Sequence, residues 1–186
     1  MKTIFRIALI ALIAVASNLP LVASTFGFKR GMTPQQVTAA VGKDAISNSS
    51  TIDGRFTMFV NTAPEPDPTF STFTLTFSNK GGLVRVIGFS GKIPMSVLPQ
   101  AFKNAQTKLI QEYSKSSSDS DKLNAEDPED RAISSYWINL EGGVKLPAGL
   151  AALTLSATMD AEAAGFEESE QTGTVSLTYE FNASGH

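Results

Sequence analysis

Cysteine is absent from this chain of 186 residues. That absence excludes disulfides, a thiol nucleophile and a lipid anchor attached through cysteine. Histidine occurs once, at position 186, and a residue at a frayed end is a poor general base. Ser-His-Asp and Cys-His catalysis therefore lack their base, and zinc lacks its usual ligands. The chain contains no Ser-x-x-Lys, no Gly-x-x-x-x-Gly-Lys and no Gly-x-Gly-x-x-Gly, so the serine–lysine and phosphate-loop chemistries have no motif to work through. No catalytic, cofactor-binding or metal-binding residue is assigned, and the chain is expected not to be an enzyme. The acidic balance of residues 116–186 argues against a nucleic-acid partner, since phosphate binding needs concentrated Lys and Arg.

Carboxylates are present, but in solvated company. Asp119, Asp121, Glu126, Asp127, Glu129 and Asp130 crowd one stretch. Asp119 and Asp121 match the first two ligand positions of a calcium loop, yet Leu123 takes the third and the required glycine is missing. Glu167, Glu168 and Glu170 read the same way. A glycosidase needs two carboxylates, and no aromatic sugar platform accompanies these. Asn48 and Asn182 each begin an Asn-x-Ser triplet.

The first 24 residues read as a secretory leader. Lys2 and Arg6 supply the positive start, Ile7 to Ala16 is an unbroken apolar run, Pro20 breaks it, and Val22-Ala23-Ser24 offers small residues for cleavage. Cleavage is expected after Ser24, with Ala23 and Ala16 as alternatives. The run is too short to span a bilayer, which takes about 20 residues, so no stable membrane anchor is expected after cleavage. The expected location is periplasmic or secreted.

Residues 25–186 are long enough for a single core. Their charge is uneven: 25–115 carry ten basic and five acidic residues, and 116–186 carry three basic and thirteen acidic. Thr33, Pro34 and Gln36 make a helix start with a capping box, Val37, Ala40 and Val41 share its face, and Gly42 ends it. Phe26 and Phe28 anchor its entry. Period-2 alternation follows at 55–60, with Phe56, Met58 and Val60 on one side. A proline-broken loop over 61–67 leads to a hairpin. In it, Phe73, Leu75 and Phe77 alternate with Thr72, Thr74 and Thr76, and 83–89 returns with Val84 and Val86 opposite Leu83, Arg85 and Ile87. Phe102, Ala105, Leu109, Ile110 and Tyr113 define a second helix. Residues 114–131 read as a mobile acidic loop. Strands then resume at 136–140, 153–159 and 175–181. The expected fold is α+β: two helix-plus-antiparallel-strand units, 25–92 and 93–186, forming one curved antiparallel sheet with the helices packed on one face.

The segment Phe26 to Val37, F-G-F-K-R-G-M-T-P-Q-Q-V, closed by Gly42, resembles the SmpA/OmlA (BamE-like) envelope family. That family carries Gly-Met-Thr/Ser, two or three polar residues, Val, then Leu/Val-Gly. Thr72 to Asn79, with the glycine turn and Leu83 after it, is similar to that family's later strand. The same helix-plus-sheet unit occurs in tandem in the β-lactamase inhibitor protein family, whose size is close to this one. The resemblance implies an envelope or secreted protein that works by binding another protein. This chain departs from BamE-like lipoproteins in lacking their cysteine and in exceeding a single unit.

The functional expectation is an exported protein-interaction module of the bacterial envelope. A periplasmic small-molecule or lipid carrier, or an inhibitor of a secreted hydrolase, is the alternative. Trp137, Tyr136 and Tyr113 are the candidate interface anchors, since Trp and Tyr are enriched at hot spots. Core packing is the competing reading of all three.

Overall fold

The structure is a computed structural model and describes residues 24–120, 132–139, 144–160 and 171–182. Residues 1 to 23, on which the expected leader falls, the acidic residues from 121 to 130, Glu167 to Glu170, Leu140 and His186 lie outside them.

The first helix forms where the capping residues place it. Strands β1 (Ser24–Thr25) and β2 (Phe28–Lys29) make a small hairpin, and α1 (Pro34–Val41) follows. The Gln36 N–H donates to Thr33 Oγ1 at 3.3 Å, and the Thr33 N–H donates to Gln36 Oε1 at 2.8 Å. This reciprocal pair satisfies two donors that the helix start leaves open. Gly42 ends the helix with φ of +85°, a backbone conformation that favours glycine. Val37 is fully buried and Val41 packs against the core, while Ala40 is exposed.

A short 3-10 turn (Lys43–Ala45) leads into β3 (Ile46–Ile52), β4 (Arg55–Val60), β5 (Thr72–Phe77), β6 (Leu83–Phe89) and β7 (Ile93–Pro94). Helix α2 (Leu98–Tyr113) comes next, then β8 (Ser118–Ser120), β9 (Ala132–Ile138), β10 (Leu150–Met159) and β11 (Thr172–Phe181). The described strands β3 to β11 form one nine-stranded sheet in the order β3-β4-β5-β6-β11-β10-β9-β8, with β7 beside one end of β11. Every described pairing is antiparallel. The fold is mixed α+β and strand-dominated.

Along most strands burial alternates residue by residue, so one face of the sheet is covered and the other, the open face, is part-exposed among the described residues. The covered face brings Met58, Leu75, Val86, Leu177, Leu155 and Trp137 into a single core with Val37 of α1 and with Leu98, Phe102, Ala105, Leu109 and Tyr113 of α2. Ile110, expected on the buried side of α2, is 38% exposed. Phe28 is fully buried, and Phe26 stands edge-on to Phe70, Phe73 and Tyr179 at 5.0 to 5.8 Å.

Two strand expectations need correcting, and one strand is new. Residues 46–52, to which the sequence reading assigns no element, form edge strand β3, which a two-residue turn at Asp53 (φ +48°) and Gly54 (φ +73°) joins to β4. Both left-handed residues match the turn that suits the twist of paired strands. In β6 the register shifts between the Thr76–Arg85 and Phe77–Leu83 pairs. The extra residue, Val84, lets Leu83 and Val86 both reach the covered face, whereas strict alternation would have separated them. Finally, 118–120 of the supposed loop pair with β9.

Where α2 ends, the Tyr113 and Tyr179 hydroxyls hydrogen-bond each other, and burial, reinforced by the Glu112 carboxylate, pushes both phenols above their ordinary value. A raised folded-state pKa means that the folded chain holds these protons more tightly than the unfolded chain does. Their contribution to stability is complete below the ordinary phenol pKa of about 10 and fades as pH rises beyond it. The melting temperature of the wild type is expected to fall more steeply between about pH 9.5 and 11 than that of Tyr179→Phe. Parallel curves would remove the tyrosine pair as the cause.

Candidate functional site

Alternation puts hydroxyls and a few large apolar groups on the open face. Pairing across the sheet sets Phe59, Thr74, Ile87, Thr178, Thr154 and Tyr136 in one row over six strands. A neighbouring row holds Thr72, Phe89, Ser176, Ser156, Ser134 and Ser120. With strands about 4.8 Å apart, such a row spans roughly 24 Å. That width suits a protein surface, and a small ligand would leave most of it bare.

Among the described residues the face carries few charges: Arg55 at the start of β4 and one ion pair. Arg85 and Glu180, which pair across β6 and β11, neutralise each other through a contact of 2.6 Å between Nη2 and Oε1. Ser134 and Ser156 share a hydrogen bond of 2.8 Å between their hydroxyls, which uses some of the polar capacity within the sheet itself. Tyr136 and Ile138 stand out at 43% and 42% exposed. They lie on the same face of β9, two residues apart.

The three aromatic residues singled out from the sequence do not come together. Tyr136 is on the open face. Trp137, its neighbour in β9, points to the covered face and is fully buried, with its indole N–H donating to the Ser114 carbonyl at 3.0 Å. Tyr113 is buried where α2 ends. For Trp137 and Tyr113 the surface-anchor expectation gives way to core packing, because adjacent strand residues point to opposite faces and α2 covers one of them. Phe59, Ile87, Phe89 and Ile138 were not singled out. Their signal in the sequence was the hydrophilic side of each alternating strand, into which these large groups intrude.

Asp119, the described member of the acidic stretch, is bonded within the fold. Its Oδ1 accepts from Ser116 Oγ at 2.6 Å and from Gln106 Nε2 at 3.4 Å, and Gln106 also donates to Ser135 Oγ at 2.7 Å. Burial pushes the Asp119 carboxyl up, but hydrogen bonds from Ser116, Ser135 and Gln106 outweigh this and hold it below the ordinary value. The network ties α2 to β8 and β9. Among the described residues no group of three His, Cys, Asp or Glu is placed to hold a metal ion, and no helix is long and apolar enough to cross a membrane. Asn48 sits exposed on the edge strand, where its side chain accepts the Ser49 N–H at 2.7 Å.

A scan against protein-family models finds no match to this chain, and a search of curated proteins finds none either.

Proposed function

We propose that this chain is an exported, non-enzymatic protein-interaction module of the bacterial envelope, and that its partner docks on the open face of the sheet. The observation that carries this reading is the composition of that face. An ordinary solvated sheet face displays Lys and Glu. This one sets rings and branched side chains among hydroxyls, with Arg55 at its margin and one self-neutralised ion pair. Depletion of charge with aromatic enrichment is the mark of an interface core. The leader-like first 24 residues and the motif at 26–42 support the export and envelope parts.

Two related units, 25–92 and 93–186, are the finer architectural reading. Its support is the chain order. Helix α1 precedes β3 to β6 and α2 precedes β8 to β11, and the two sets meet through their final members, β6 and β11. That arrangement favours one specific form of the proposal, inhibition of a secreted hydrolase, which a panel of secreted β-lactamases and proteases tests directly.

The deciding experiment places a photo-crosslinking amino acid at position 136 in cells. The expected product is one dominant envelope or secreted protein joined to the chain. Tyr136→Ala is expected to weaken the purified complex at least tenfold, as loss of a tyrosine hot spot does, with an unchanged melting temperature. Recovery of the uncrosslinked chain alone would overturn the proposal.

A further inference from the structure

Strand β3 is the outer strand of the sheet, and among the described residues nothing pairs with its far edge. Such edges are templates for other chains, and proteins blunt them with charge, proline or brevity. The opposite edge is blunted, since β8 has three residues and carries Asp119. Ile46 to Ile52, I-S-N-S-S-T-I, holds no charge and no proline. A bulge at Ser47 leaves 48–52 regular. The two-residue turn makes Ile52 and Arg55 the closing pair. Ile52, Ser50 and Asn48 therefore bond to β4, while Ser49 and Thr51 turn their N–H and C=O groups outward. The Ser49 N–H is taken by its neighbour's side chain, Asn48 Oδ1, at 2.7 Å, a local partner that an incoming carbonyl can replace.

A cleft of about 400 Å³ opens beside this edge on the covered side of the sheet. Thr51 of β3 and Phe56 of β4 stand directly opposite each other and both line it, with Phe77 and Pro34. Helix α1 only begins at Pro34 and leaves this corner bare. Phe56 is therefore 38% exposed, although it shares a face with buried Met58 and Val60. Its ring centroid lies 5.7 Å from that of Phe77. Thr51 is all that β3 sets between Phe56 and the outer edge in this row, and it is small. On the other face of β3, Ile52 is 47% exposed.

We propose that β3 and this cleft bind an extended segment of another polypeptide, which joins the sheet as a further strand. Main-chain hydrogen bonds to Ser49 and Thr51 hold it, and the side-chain contacts select it. The residue placed beside Thr51 carries a large apolar side chain that leans over the threonine onto Phe56. Its neighbour in sequence points to the other face and covers Ile52. The rest of the segment is uncharged, like the strand it pairs with. A second copy of β3 fits poorly, because the residues it would bring to the side of the cleft are Ser49 and Thr51. This edge lies at the far end of the sheet from Tyr136, and its test does not depend on a partner there.

Selection from a phage-displayed library of random peptides against the immobilised full chain tests the proposal. Enriched peptides are expected to share two adjacent large apolar residues within an uncharged run. The strongest of them, synthesised with a fluorescent label, is then titrated by anisotropy. Thr51→Pro removes an outward N–H and no bond to β4, and proline is tolerated at such an edge position. It is expected to weaken the peptide about fivefold with an unchanged melting temperature. Phe56→Ala is expected to weaken it about tenfold. Replacing the peptide's apolar pair by alanine is expected to cost wild-type binding more than it costs Phe56→Ala, as a shared contact requires. Lys103→Ala, on α2, serves as the control. Amide shifts in the wild-type chain on adding the peptide give a check that needs no variant, and are expected to centre on 48–56. Absence of enrichment, wild-type affinity in Thr51→Pro, or shifts centred elsewhere would overturn the site. Dimers of the chain that Thr51→Pro abolishes would also overturn it, in favour of a second copy as the occupant.

Discussion

Trp137→Ala is expected to destabilise the fold by about 3–5 kcal/mol, the range for emptying a buried tryptophan site. The residue is wholly buried in β9, opposite Leu153 of β10, on the face that α2 covers. Its indole N–H also bonds the Ser114 carbonyl at the C-terminal cap of α2, where the backbone turns with φ of +68°. The substitution therefore opens a cavity and leaves the last turn of α2 without that donor. Domains of this kind hold a margin of only about 5–15 kcal/mol, so much of it would go. Urea unfolding followed by circular dichroism is the appropriate measurement, since the variant loses the chain's one tryptophan fluorophore. Trp137→Phe is expected to recover part of the loss. A midpoint unchanged in Trp137→Ala would contradict the packing described for β9 and α2.

Gly173→Val is expected to be comparably damaging for the opposite reason. A Cβ at Gly173 would stand 2.5 Å from Leu98 Cδ2 and 2.6 Å from the Thr158 carbonyl oxygen. Leu98 is fully buried at the start of α2, and the Thr158 carbonyl belongs to the backbone of β10, so neither neighbour yields cheaply. Overpacking by one methyl costs about 1–3 kcal/mol, which for this size lowers the melting temperature of Gly173→Ala by roughly 2–12 °C. Valine adds two further carbons and a larger drop. Gly91→Ala is the control, because a Cβ there meets nothing within 4 Å. Similar melting temperatures for Gly91→Ala and Gly173→Ala would rule out close approach as the explanation.

How much of this was legible in the sequence depends on whether local chemistry and tertiary burial agreed. They agreed in α1, where Thr33, Pro34, Gln36 and Gly42 state the start and stop of the helix in their own backbone chemistry. They agreed again in β5, β10 and β11, where apolar residues recur every second position. They parted in β3, whose Ser-, Asn- and Thr-rich edge strand buries too little to show a hydrophobic period. The Asp53-Gly54 turn was the available clue. In β9, Ser134 and Ser135 interrupt the alternation. Ser135 is tolerated on the covered face because Gln106 donates to its hydroxyl, a partner 29 residues away that no local pattern reveals. The same gap hid the open-face site. That Tyr136 faces out and Trp137 in follows from alternation only once the covered parity is known, and α2 sets that parity.

The central joint of the sheet has a consequence for how the chain reaches this state. Strand β6 finds its second neighbour only in β11, and the Arg85–Glu180 pair that marks the joint spans 95 residues. Until β11 emerges and docks, β6 and β10 both present bare edges, and each is a template for the wrong strand. Contacts so distant close slowly, because the intervening loop must first give up its freedom. That interval is the chain's most exposed moment, and any factor that holds the unfolded chain would meet these two edges first.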